Sequence, residues 1–322
     1  MLEFGTAEAR SGEKDTGRLR AGELRDGSDF GIPVAVVNGS GRGKTLYIQA
    51  GSDGDELNGV SVVREIYRRI DPEEVSGNLL IVGVLNFHGF QRAVHRNPLD
   101  DIKLNRAFPG SRDSSSQRLV NLVYEEGVKR SDLALDLHQG STSRMIDEVR
   151  VRCGEDHYLH SDCMDLAQTF GTEYILDEKG AEGQLARVAP DEGIPTVDPE
   201  LGGSVGVDGA SVEKGVRGIF NVLKGYGFIS GEPALPRKQT RATGFDTFYT
   251  RRGGMVDLEV DLYDEVERGQ TLFQVTDVFG DVKQTVTADN RGVVWRMRRL
   301  PMVATGEYVM SVATGIDEIE TP

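Results

Sequence analysis

The sequence predicts an α/β protein: a mixed, mostly parallel sheet flanked by helices, followed by a small C-terminal all-β module. Three observations carry this. Strand-like apolar runs alternate with helix-length amphipathic stretches through most of the chain, as in sheets covered by helices. Leu79–Leu85 (LLIVGVL) is continuously apolar, as expected of a strand buried on both faces. Beyond Gly231–Arg241, which carries Pro233 and Pro236, the helical period disappears and short alternating segments with turn signals take over. The boundary is drawn there: residues 1–238 form the α/β domain and residues 239–322 a β-sandwich or barrel-like module.

The elements follow in order. Residues 1–40 are polar, with short strands such as Ile32–Val37. Thr45–Ala50 reads as a strand, and Asn58–Ile70 as a helix with Val60, Val63, Ile66, Tyr67 and Ile70 on one face. Gln117–Lys129 is a helix, Leu133–His138 a strand, Asp162–Phe170 a helix, Ile194–Val197 a strand and Ala210–Tyr226 a helix. In the C-terminal module, GGMVDLEVDLYDEVERGQTLFQV is similar to the biotinyl/lipoyl-type β-sandwich pattern. Its hairpin tip, Val278-Phe279-Gly280-Asp281, lacks the exposed lysine of a carrier domain. The module is therefore expected to be structural or substrate-gating.

Bulk composition narrows the function. The chain has 322 residues and a formal net charge of −15. That charge repels nucleic acid and anionic membranes, so neither is an expected partner. No apolar run spans a bilayer, and the N-terminus has neither the basic start nor the apolar core of a secretory signal. A cytoplasmic location is expected. The basic residues are mostly arginine. An acidic, lysine-poor surface suits a high-salt, halophilic cytoplasm, and equally suits an ordinary acidic protein from a GC-rich genome. The two cysteines, Cys153 and Cys163, are expected to be reduced and buried.

Four short segments carry chemistry. Gly51-Ser52-Asp53-Gly54-Asp55-Glu56-Leu57-Asn58-Gly59 lies between a strand and a helix, where α/β folds place their sites; its acids also suit a solvated helix N-terminus. Phe87-His88-Gly89-Phe90 and Arg96-Asn97-Pro98-Leu99-Asp100-Asp101-Ile102-Lys103-Leu104-Asn105-Arg106-Ala107-Phe108-Pro109-Gly110 follow the second buried strand. Arginine with asparagine suits a carboxylate ligand, or a surface loop paired with its own aspartates. Asp136-Leu137-His138 ends a strand with both polar side chains on one face, as a metal ligand with a supporting acid or as a structural pair. Pro195-Thr196-Val197-Asp198-Pro199-Glu200-Leu201-Gly202-Gly203 ends another apolar run in an acid and glycines.

Together, in this order, these segments resemble the succinylglutamate desuccinylase/aspartoacylase family of zinc carboxypeptidase-like hydrolases, over roughly residues 40–322. The family pattern is a Gly-x-His-Gly-Asp-Glu turn, an Arg-x-x-Pro-x-Asp…Leu-Asn-Arg-x-Phe-Pro-Gly loop, an Asp-x-His strand end and a Glu-Leu-Gly-Gly segment. The resemblance implies that Glu56 and His138 ligate one zinc ion and that Asp53 occupies the first ligand's position. It implies Arg96 polarising the scissile carbonyl, Asn105 and Arg106 binding the substrate carboxylate, and Glu200 as general base. The implied reaction is deacylation of an N-acyl amino acid or a related small carboxylate. Carboxypeptidase action on short peptides and non-catalytic carboxylate binding are the alternatives. The sequence leaves the oligomeric state open, a homo-oligomer included.

Asp53 departs from the pattern, which has histidine there. An Asp–Glu–His site with a dication is formally neutral and favours harder metals, so manganese or another divalent ion competes with zinc. Asp53 ligates, or misses the metal, or yields its place to His88 or Asp136. The order Cys153, His157, His160, Cys163 offers four soft ligands, but its spacing fits no named zinc motif and reads as an ordinary strand–loop–helix.

Overall fold

The computed structural model describes residues 1–203 and 205–320. Its main sheet runs through Glu13–Glu23, Asp29–Asn38, Ser76–Val82, Gly41–Ala50, Leu133–Leu137, Thr196–Gly203 and Ser143–Val151. The pairs made by Gly41–Ala50 with Ser76–Val82 and Leu133–Leu137, and by Leu133–Leu137 with Thr196–Gly203, are parallel. The flanking pairs of this path are antiparallel, which makes the sheet mixed.

Strand alternation sorts the core into two layers. Ile48, Leu79 and Leu135 face the helices Leu57–Arg69, His160–Phe170 and Gly209–Gly225, which contribute Val62, Ile66, Phe170, Ile219 and Val222. Tyr47, Leu80 and Ala134 face the other way, against Leu119, Val123 and Tyr124 of Ser115–Glu126. Each of the Val, Leu, Ile and Phe side chains contributes roughly 1.5–3 kcal/mol of transfer free energy on full burial. Caps delimit two of the helices: Ser114 accepts from the Gln117 amide, and Asp208 from the amides of Ala210 and Ser211.

The N-terminal segment and Ser143–Val151 differ from the sequence reading. The N-terminal segment forms two long paired strands, Glu13–Glu23 and Asp29–Asn38, rather than short ones. Ser143–Val151 is a strand that charged residues hide from a hydrophobicity pattern: Glu148 is fully buried and Arg150 nearly so, because they pair with each other.

The C-terminal strands Gly292–Arg298, Tyr308–Thr314 and Gly244–Tyr249 continue the main sheet, joining it through Ser143–Val151. Val282–Thr287, Thr271–Thr276, Gly254–Leu258 and Met302–Val303 form a separate four-stranded sheet. Trp295, fully buried, packs edge-on against Tyr174 of the main α/β body, 5.2 Å between ring centroids. The hairpin tip at Val278–Asp281 exposes Phe279 and carries no lysine.

Candidate metal centre

Three neighbouring parallel strands deliver the site from their carboxyl ends. Gly41–Ala50 runs into the turn bearing Asp53 and Glu56. Leu133–Leu137 ends one residue before His138. Thr196–Gly203 carries Glu200 within the strand itself, beyond the expected Ile194–Val197, and Glu200 bridges to His138. Parallel strands adjacent in the sheet bring their ends to one place, which explains how residues so distant in sequence meet.

The expected ligands converge. His138 Nδ1 lies 3.0 Å from Glu56 Oε2 and 3.5 Å from Asp53 Oδ2. Donors 2.0–2.2 Å from a tetrahedral zinc stand roughly 3.3–3.6 Å from one another, so this spacing is close to that of a coordination shell. Asp53 is fully buried; Lys103 Nζ lies 3.0 Å from its Oδ2, while among the described residues Oδ1 accepts no well-directed hydrogen bond. Burying a carboxylate oxygen in that condition is costly. Donor types, distances and that oxygen therefore fit a divalent metal.

Behind His138, Asp136 Oδ2 stands 3.0 Å from Nε2. Asn105 also reaches that ring: its Oδ1 accepts from the Leu185 amide, so its Nδ2 donates to Nε2 at 2.8 Å, and the proton of the neutral ring lies on Nδ1, facing Glu56 Oε2, where a metal ion would displace it. Asp136, His138 and Asp198 have ligand atoms within 4.8 Å of one another, all buried.

Charge in the cluster is distributed unevenly. Burial alone raises Asp53, but His138, Lys103 and His95 hold it well below the usual carboxylate range. Glu56 is pushed up to about 7 by burial and the Asp53 charge. Asp198 is likewise pushed up to about 7, by burial and Asp136. Burial works against ionised Glu200 too, yet Arg150, His138 and Lys103 outweigh it and keep this carboxylate below its ordinary value. Arg150 Nη1 is 2.8 Å from Glu200 Oε1, and its Nη2 is 2.7 Å from Glu148 Oε1. Opposed in register on adjacent strands, the two glutamates share one arginine.

Two neighbours of Asp53 escape the sequence reading. Lys103 Nζ lies 3.0 Å from Asp53 Oδ2, and His95 Nε2 lies 3.4 Å from Asp53 Oδ1. Both come from the loop around Arg96. Gly54 lets that loop approach: a Cβ there would sit 2.2 Å from the Gly89 carbonyl carbon. The Gly54 amide and Asn86 Nδ2 both donate to the His95 carbonyl, at 3.3 Å each, and pin it beside the ligand turn. One signal was available, since His95 is among five histidines and directly precedes Arg96.

Arg96 and Arg106 are exposed. Arg96 donates to the Asp101 carbonyl and Arg106 to that of Asn105. His88 packs tilted against Phe30 and edge-on to Phe87 and belongs to neither candidate ligand cluster among the described residues, so it does not stand in for a ligand. Cys153 and Cys163 are free and buried as expected, while His157 and His160 pair with Asp191 and Asp177. That stretch is the strand–loop–helix the spacing predicts.

The profile of the succinylglutamate desuccinylase/aspartoacylase catalytic domain matches residues 42–226. The chain belongs to that family. The N-alpha-acetyl-L-2,4-diaminobutyric acid deacetylase of Halomonas elongata is 28% identical over 298 residues, covering 89% of this chain and 87% of its own. A solved succinylglutamate desuccinylase/aspartoacylase from Rhodobacter sphaeroides is 25% identical at a TM-score of 0.85, over 97% of each chain. The product-bound ectoine utilization protein of Ruegeria pomeroyi reaches a TM-score of 0.86 at 23% identity, covering 98% of this chain and all of its own; this likeness carries the fold. Family and site together make this protein a metal-dependent hydrolase that cleaves a non-peptide C–N bond in a small acyl carboxylate. No helix among the described residues is long and apolar enough to cross a membrane.

Proposed function

We propose that the chain deacylates an N-acyl amino acid, with Asp53, Glu56 and His138 holding one zinc ion and manganese as the competing metal. The observation that carries this is the convergence of those three side chains, with one oxygen of the buried Asp53 carboxylate accepting no well-directed hydrogen bond. A cation held there polarises the acyl carbonyl and acidifies water towards a pKa of about 7.

The rest is the work of the chain's own groups. Glu200, kept ionised by Arg150, accepts the proton of the attacking water and hands it to the leaving amine. Arg96, at the surface of the loop, swings from the Asp101 carbonyl to stabilise the developing oxyanion. Arg106 grips the substrate carboxylate. Asn105, whose amide is engaged by His138 and Leu185, orients the imidazole rather than holding substrate alone. The positive charges of Arg96, Arg106 and Lys103 offset the acidic surface for an anionic substrate. Residues 239–322 are structural or gate the substrate. The setting is a cytoplasm, of high salt on the halophilic reading.

The test is hydrolysis by the metal-loaded enzyme. An N-alpha-acetylated diamino acid, as the Halomonas relative's name prints, is assayed beside N-acetyl and N-succinyl amino acids and short peptides. Turnover of an acylated amino acid above that of peptides, abolished by chelator and restored by zinc, is expected. Peptides cleaved in preference would make it a carboxypeptidase, and no turnover of any substrate would leave a carboxylate-binding protein.

A further inference from the structure

Asp53 and Glu56 present their carboxylates to two imidazoles, not one. Asp53 turns Oδ2 towards His138, at 3.5 Å, and Oδ1 towards His95, at 3.4 Å. Glu56 places Oε2 3.0 Å from His138 Nδ1 and Oε1 3.9 Å from His95 Nδ1, the nitrogen beside the one that faces Asp53. Asp53, Glu56 and His95 have ligand atoms within 4.8 Å of one another.

The orientation of His95 is set from behind. Its Nδ1 hydrogen-bonds Asp55 Oδ1 at 3.1 Å, and Ser141 Oγ donates to the other Asp55 oxygen. A carboxylate can only accept, so Nδ1 carries a proton, and in the neutral ring the Nε2 lone pair faces Asp53 Oδ1. In that form two lone pairs confront one another across 3.4 Å unless a cation lies between them, and no well-directed donor reaches that fully buried oxygen among the described residues. A carboxylate–imidazole pair aimed at a second acceptor is the arrangement that supports a metal-ligating histidine.

We infer that His95 is a ligand of the same metal ion, supplying from the loop the imidazole that Asp53 displaces from the turn. The site then has two carboxylates and two imidazoles, Asp53, Glu56, His95 and His138, with Asp55 as the positioning residue for His95. This inference rests on the proposed metal site and adds one ligand to it.

Cobalt titration of the chelator-stripped protein tests it, followed by equilibrium competition and by the visible spectrum of bound Co²⁺, which reports ligand number and type. His95→Ala and His95→Gln are compared with wild type, Asp55→Asn and Glu56→Ala. The His95 side chain is 32% exposed, so truncating it opens no sealed cavity, and melting temperature checks each fold. The expected results are one Co²⁺ per wild-type chain and an altered spectrum in both His95 variants. Their affinity should fall beyond the roughly 10–100-fold typical of losing an outer partner, and Asp55→Asn should fall within that range. A His95 variant with wild-type affinity, or with weakened affinity and an unchanged spectrum, overturns the inference. If Glu56→Ala loses the metal while His95→Ala keeps it, His95 alone is excluded. If the wild type binds no cobalt, the metal site itself falls, and this inference with it.

Discussion

At the scale of single residues, the aspartate in place of histidine changes the charge of the site less than the ligand set suggests. Asp53, Glu56 and a dication sum to zero, but Lys103 stands 3.0 Å from Asp53 and restores one positive charge. An Asp–Lys pair is formally equivalent to a neutral histidine, so water at the site keeps an acidifying field. Asp53→His therefore leaves Lys103 without its counter-charge. It should weaken zinc binding unless combined with Lys103→Met, and the double variant should recover affinity; equal affinity in both would remove Lys103 from the account. Glu200→Gln should lower kcat by about 10²-fold or more while zinc stays bound, since a general base contributes 10²–10⁴. Unchanged turnover would move the base elsewhere. Glu56 supplies a pH dependence. Its folded-state pKa of about 7 lies above the ordinary carboxylate value of 4.5, so the folded, chelated protein keeps a proton that the unfolded chain has released. Its stability contribution accordingly falls as pH rises from about 4.5 through about 7. Metal affinity rises over the same window, because the metal displaces that proton. Melting curves of chelated wild type and Glu56→Gln between pH 5 and 8 should show a steeper fall in the wild type, the remainder in the variant coming from Asp198.

At the scale of elements, the site depends on two loops touching. The turn after Gly41–Ala50 and the loop after Ser76–Val82 approach so closely that Gly54 has no room for a methyl group. Gly54→Ala should separate them, costing about 1–3 kcal/mol through overpacking and weakening metal binding together with stability. A drop in melting temperature with intact metal affinity would show that the loops hold the ligands independently. This contact also marks the limit of what the sequence discloses. Strand ends bearing Asp53, His138 and Glu200 are legible because apolar runs stop at acids and glycines. His95 and Lys103 are not legible as partners of Asp53, because a long loop, not a periodic element, sets their distance. Ser143–Val151 is hidden for another reason. Glu148 and Arg150 satisfy each other inside the core, and no apolar pattern records a buried ion pair.

At the scale of the whole molecule, the parallel centre of the sheet gathers the site, and the C-terminal strands extend that same sheet through Ser143–Val151. The alternation of strands with helices and the β-rich end follow from patterns visible along the chain; the order of the strands in the sheet does not. The joining of the two parts into one sheet does not. A formal charge of −15 should make the protein more stable in salt, as self-repulsion is screened. Its melting temperature should rise between 0.05 and 1 M KCl, roughly evenly for wild type and Glu200→Gln; a fall would contradict the surface-charge reading. The most direct test of the central claim is anomalous diffraction at the zinc edge from crystals of the metal-loaded protein. The account predicts one peak about 2.0–2.2 Å from a carboxylate oxygen of Asp53, a carboxylate oxygen of Glu56 and His138 Nδ1. A peak between Asp136 and Asp198 instead, or no peak beside Asp53, would contradict it.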